Sequence, residues 1–113
     1  MNSDLKVSYS IMRLMVIFDK PVETAEERRE YSKFRKFLIG EGFMMLQYSI
    51  YVRYCVNNTI ATKYINHVKM FGSRYGDVRI IYLTENQFND MVLISGEKKK
   101  REEVETDDNL TII

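Results

Sequence analysis

The sequence predicts an α+β domain of order β-α-β-β-α-β with a short extra strand at its end. Three observations predict it. The run at 11–18, IMRLMVIF, is apolar apart from Arg13 and stops at Asp19-Lys20-Pro21, the pattern of a buried central strand. Two amphipathic stretches open on capping residues, at Thr24 and at Asn57-Asn58. Aromatic and β-branched segments at 43–56 and 77–84 flank the second of these stretches.

Taken in order, residues 1–10 are a polar lead-in, and the first strand follows at 11–18. Pro21 stops that strand because proline has no amide for the ladder. Thr24-Ala25-Glu26-Glu27 matches the box in which hydroxyl and carboxylate satisfy each other's orphan amides. A helix is therefore expected from about Ala25 to Ile39. Tyr31, Phe34 and Leu38 share one face, with Phe37 at its flank, and Arg29, Lys33 and Lys36 align opposite. Gly40 and Gly42 end it.

Residues 43–56, FMMLQYSIYVRYCV, read as two strands or one long bent strand with no glycine turn. Asn57-Asn58 then caps a second helix over 59–71, whose Ile60, Ala61, Tyr64, Ile65, Val68 and Phe71 occupy one arc. Gly72 and Gly76 punctuate the exit before a strand at 77–84, DVRIIYLT. A polar turn, ENQFND, leads to a last short strand at 91–94. Two helices on one face of an antiparallel sheet in this order make a split-βαβ, ferredoxin-like arrangement. The domain spans 11–96. The charged tail 97–113 ends in the β-prone Leu110, Thr111, Ile112 and Ile113.

Composition narrows the function classes. A chain of 113 residues makes one small domain that leaves much surface exposed, so a partner subunit is expected. Cys55 is the only cysteine, which excludes an intrachain disulfide. With His67 as the only histidine, a closed Cys/His zinc site is excluded as well. The neighbours of Cys55 (Tyr51, Val52, Tyr54, Val56) mark it as a buried small hydrophobe. No apolar run approaches the ~20 residues that span a bilayer, so a cytoplasmic protein with no membrane partner is expected. The net charge of +1 advertises no nucleic-acid binder. The tail, however, holds 4 basic and 6 acidic residues, which leaves 13 basic against 10 acidic in residues 1–96.

Two features carry chemistry. Asp19 is a carboxylate delivered at a strand end, and hard cations such as Mg²⁺ take one or two such ligands. The same residue also reads as a shaper of the turn. The second feature is the row Arg29, Lys33 and Lys36, with Arg28 and Arg35 nearby, which suits a phosphate backbone. Interleaved Glu26 and Glu30 suit a merely solvated helix face. Tyr48, Tyr51 and Tyr54 read as sheet packing rather than base stacking.

The segments MRLMVIFDKP, TAEERREYSKFRKFLIGEGFMMLQYSIYVR and GDVRIIYLTENQF together resemble the CRISPR-associated protein two family, most closely type II-A members. The resemblance covers about 11–96. It implies a ferredoxin-like fold in a homodimer that exchanges terminal strands. It implies that Asp19 is the catalytic, Mg²⁺-ligating residue of a metal-dependent endoribonuclease, one copy coming from each protomer. It also implies a role in spacer acquisition, with the dimer bridging two dimers of the integrase, CRISPR-associated protein one, and supporting double-stranded prespacer DNA. In that setting Arg28, Arg29, Lys33 and Lys36 would contact the duplex, and Leu110 to Ile113 would add a strand to the partner or to a sheet edge. The chain departs from the family pattern at Lys20, where an apolar residue is usual. A cation beside Asp19 is expected to repel metal or to attract phosphate. An RNA-recognition domain of the same fold would want an RNP1-like strand, which neither DVRIIYLT nor QYSIYVRY supplies.

Overall fold

In the computed structural model, which describes residues 11–95, three helices accompany four strands that build an antiparallel sheet of order β2-β3-β1-β4. The elements are β1 (Met12–Asp19), α1 (Ala25–Gly40), β2 (Met44–Gln47), β3 (Ile50–Cys55), α2 (Asn58–Phe71), β4 (Asp77–Thr84) and α3 (Glu85–Asn89). This is the ferredoxin-like arrangement expected from the sequence. β1 lies inside the sheet, paired with β3 and β4. That position suits its nearly continuous apolar sequence.

Local chemistry fixes the boundaries. Thr24 Oγ1 accepts from Glu27 N at 3.1 Å, while Glu27 Oε1 accepts from Thr24 N at 3.0 Å, so the capping box opens α1. Asn57 Oδ1 accepts from Ile60 N at 2.9 Å and opens α2. The segment at 43–56 resolves into two strands joined through Tyr48-Ser49, with a bulge between Met45 and Gln47. Ser49, not glycine, takes the left-handed backbone there (φ 68), and its carbonyl accepts from Phe18 N at 3.0 Å. The hairpin is thereby tied to the central strand.

Two expectations at the C-terminal side are corrected. ENQFND is not a plain turn, because Thr84 and Gln87 form a second capping box that opens α3. The apolar run 91–94 is not a strand and carries no regular structure. All four of its side chains are exposed, since no described strand lies alongside to complete a ladder. The expected lead-in 1–10 and tail 97–113, with Leu110 to Ile113, lie outside the described residues.

Strand alternation divides the sheet into two faces. Met12, Leu14, Val16 and Phe18 point toward the helices and join Phe34, Leu38, Phe43, Tyr51, Cys55, Ala61 and Val68 in the core. Phe18 centres an aromatic group, 5.1 Å from Phe34 and 5.9 Å from Tyr51 between ring centroids. Phe37 stacks on Phe71 at 4.1 Å, joining the two long helices. Arg13, Met15, Ile17 and Asp19 alternate to the face that α1 and α2 leave uncovered.

Candidate functional site: a strand-end carboxylate and a cationic helix

Asp19 is the last residue of β1, and its register partner on β4 is Asp77. Register partners share a face, so both carboxylates sit at one edge of the uncovered side of the sheet. Both are exposed, and neither has a hydrogen bond or ion pair among the described residues. Their hard oxygen donors fit a Mg²⁺ ion that keeps most of its water. Among the described residues no three His, Cys, Asp or Glu side chains gather into a larger metal cage.

Lys20 is not beside that carboxylate. One position further along, its side chain leaves from the opposite side of the backbone, and the residue is only 7% exposed. Its Nζ donates to Ser73 Oγ at 3.1 Å, Arg74 O at 3.2 Å and Tyr75 O at 3.1 Å. It also lies 5.1 Å from the centroid of the Phe34 ring. Burial pushes its ammonium below the usual lysine range, and the charge of Glu30 partly opposes this. The expected repulsion of metal and attraction of phosphate both assumed a cation pointing at the site. Alternation has turned it away.

The α2–β4 loop is also held from outside. Tyr75 Oη donates to Glu26 Oε2 at 2.8 Å, and Arg74 lies 3.5 Å from Glu26 and 3.8 Å from Glu30. These contacts occupy both acidic residues interleaved with the cationic row on α1. Arg29, Lys33 and Lys36 are exposed on the helix side away from Phe34 and Leu38. Lys33 has a 3.5 Å contact with Glu30, whereas Arg29 and Lys36 have no ion pair among the described residues. Arg28 stands apart from the row, since its guanidinium donates to Val22 O at 3.1 Å and Glu23 O at 3.0 Å.

Other candidates resolve into structural roles. Tyr51 is core, Tyr48 occupies the β2–β3 turn, and Tyr54 lies under Arg13. Burial pushes the Cys55 thiol upward, with Arg53 opposing, which suits an inert buried side chain. His67 Nδ1 is bonded to Glu41 Oε1. Arg53 donates to Glu41 O at 2.8 Å and lies 3.7 Å from the centre of the Tyr64 ring. A pair missed by sequence reading closes the far end of β1: Arg13 bonds Glu85 bidentately, at 2.8 and 3.0 Å. Only the register of the sheet brings these two together.

The chain is similar to known proteins over most of its length. A family profile described as "CRISPR associated protein Cas2" matches residues 12–91. A CRISPR-associated endoribonuclease Cas2 of Ligilactobacillus salivarius is 53% identical over 102 residues, covering 90% of this chain and 99% of the relative. Its counterpart from Streptococcus mutans is 42% identical over 87 residues, covering 77% and 80%. One from Treponema denticola is 38% identical over 102 residues, covering 90% and 100%.

Proposed function

The chain belongs to the CRISPR associated protein Cas2 family, and from that premise we propose that it serves CRISPR spacer acquisition as a homodimeric scaffold. The dimer bridges dimers of the integrase, CRISPR-associated protein one, and holds a double-stranded prespacer by its phosphates. The observation that carries this reading is the row Arg29, Lys33 and Lys36, exposed along one side of α1 with its neighbouring carboxylates occupied by Arg74 and Tyr75. Evenly placed cations neutralise phosphates without reading bases, as a scaffold for varied sequences requires. Arg28, at the start of the helix, extends the row once its own carbonyl contacts are released. The exposed apolar run at 91–94 and the uncovered sheet face supply a surface for strand exchange between protomers. The terminal residues Leu110 to Ile113 suit strand addition to the integrase. No helix among the described residues is long and apolar enough to cross a membrane.

A second reading, metal-dependent endoribonuclease, is favoured by the exposed Asp19 opposite Asp77 and by the names its relatives carry. Two-fold symmetry would bring Asp19 from both protomers to one place. Magnesium, when bound, supplies activation of water and stabilisation of charge on the phosphate. Asp19 would hold the ion and orient it on the sheet face opposite α1.

The decisive experiment measures duplex binding against salt for the wild type and for R29A/K33A/K36A. The scaffold reading expects the log–log slope to fall by about 0.9 for each phosphate that is no longer neutralised. It also expects co-purification with the integrase and half-site integration that requires this chain. An unchanged slope removes the row from the mechanism, and failure to associate at low salt removes the bridge. D19N separates the second reading: it should abolish metal-dependent cleavage while leaving duplex affinity intact.

A further inference from the structure

Lys20 is unusual both for its burial and for what its ammonium holds. A buried lysine is costly unless its donors are satisfied, and here all three N–H groups have acceptors in one loop. That loop joins α2 to β4 and contains three residues with positive φ: Gly72 (76), Tyr75 (65) and Gly76 (88). Such a loop has little regular structure to stiffen it, so its shape depends on its anchors.

The anchors lead back to Asp19. The residue after the last lysine acceptor is Gly76, whose backbone packs so closely on β1 that an added Cβ would stand 2.2 Å from the Asp19 carbonyl oxygen. The next residue is Asp77, the register partner of Asp19. Lys20 therefore anchors from within the shelf against which the strand end rests, while Tyr75 and Arg74 tie the same loop to α1 from outside.

We propose that Lys20 is a positioning residue for the Asp19 carboxylate, locking the α2–β4 loop so that Gly76 fixes the strand end and Asp77 stands opposite. The inference rests on the reading in which Asp19 receives a divalent cation. Lys20 never touches the ion or the nucleic acid. Its ammonium is spent on Ser73, Arg74 and Tyr75, and a strand-end apolar residue could not bind these groups.

The test uses the full chain and Mn²⁺ as the probe, followed by electron paramagnetic resonance, with hydrogen exchange of the amides at 74–78 read in parallel. The wild type should bind Mn²⁺ and D19N should not. K20M, which keeps the side-chain length but removes the donors, should weaken Mn²⁺ about tenfold, the lower end for residues that orient a metal ligand. Exchange at 74–78 should quicken while α1 stays protected. S73A removes one acceptor without altering charge and should give a smaller shift of the same sign, which keeps the proposal testable where K20M fails to fold. Asp19-dependent Mn²⁺ binding that is unchanged in both K20M and S73A overturns the role of Lys20 alone. Equal Mn²⁺ binding by wild type and D19N overturns instead the metal reading on which it rests.

Discussion

Replacing Gly76 by alanine should be far more damaging than the same change at Gly72, although both residues have positive φ. At Gly72 (φ 76, ψ −173) nothing lies within 4 Å of an added methyl, so alanine meets only the conformational penalty. That penalty is about 1–3 kcal/mol for a backbone region that is essentially confined to glycine. At Gly76 (φ 88) the methyl would also stand 2.2 Å from Asp19 O, 2.8 Å from Lys20 Cα and 3.0 Å from Asp19 C. These are backbone atoms, and no side-chain rotation relieves them. Either β1 must shift or the loop must come away, at a further cost of about 1–3 kcal/mol, as for overpacked cores. A domain of this size holds roughly 5–15 kcal/mol in total. G72A should therefore remain folded with Tm lowered by about 10 °C, and G76A should lose about 20 °C or more. Calorimetry and urea unfolding of both variants read the difference. Equal losses would refute the close approach of Gly76 to the end of β1, and with it the shelf beneath Asp19.

Two further outcomes follow from the packing. Arg13, by hydrogen bond and by charge, holds the Glu85 carboxyl below its usual value of 4.5, with partial burial opposing. A depressed carboxyl contributes its stability above the unfolded value and loses it as pH falls through the folded one. The wild type should thus exceed E85Q by at most ~1 kcal/mol at pH 7, both partners being partly exposed. The gap should narrow in urea titrations as pH falls below 4.5; a gap that stays the same size throughout the acid range would exclude the pair. Phe34 is 1% exposed and touches Phe18, Phe37 and Phe71, so F34A should cost about 3–5 kcal/mol in the same assay. Met70, 85% exposed, is the control, and M70A should change stability by no more than about 0.5 kcal/mol.

How much of this was legible depended on whether the signal was local. Thr24-x-x-Glu27 announced α1 because its chemistry lies within four residues. Thr84-x-x-Gln87 carries the same signature, and only the polar brevity of ENQFND disguised the helix behind it. The β2–β3 turn stayed ambiguous because Ser49 takes a conformation usually given to glycine. The run at 91–94 has strand-like residues, but a strand also needs a neighbour. Asp19 could be picked out as a strand-end carboxylate, whereas Asp77 became its companion only through the register of β4. Lys20 was misplaced for a geometric reason: adjacency in sequence suggested adjacency in space, and alternation about the strand end reversed it.

The central place of β1 also bears on how the chain acquires its structure. Among the described residues, the first strand to leave the ribosome, β1, has the last, β4, as one of its two neighbours. The Arg13–Glu85 pair closes a separation of 72 residues. Contacts this distant in sequence slow folding, because the intervening chain must be ordered before they form. Until β4 is complete, the apolar run at 11–18 has one open edge and cannot be sheltered by any shorter fragment. Assembly of the sheet is therefore a late event, reached only when residue 84 is in place, and chains interrupted earlier expose the segment best suited to aggregate.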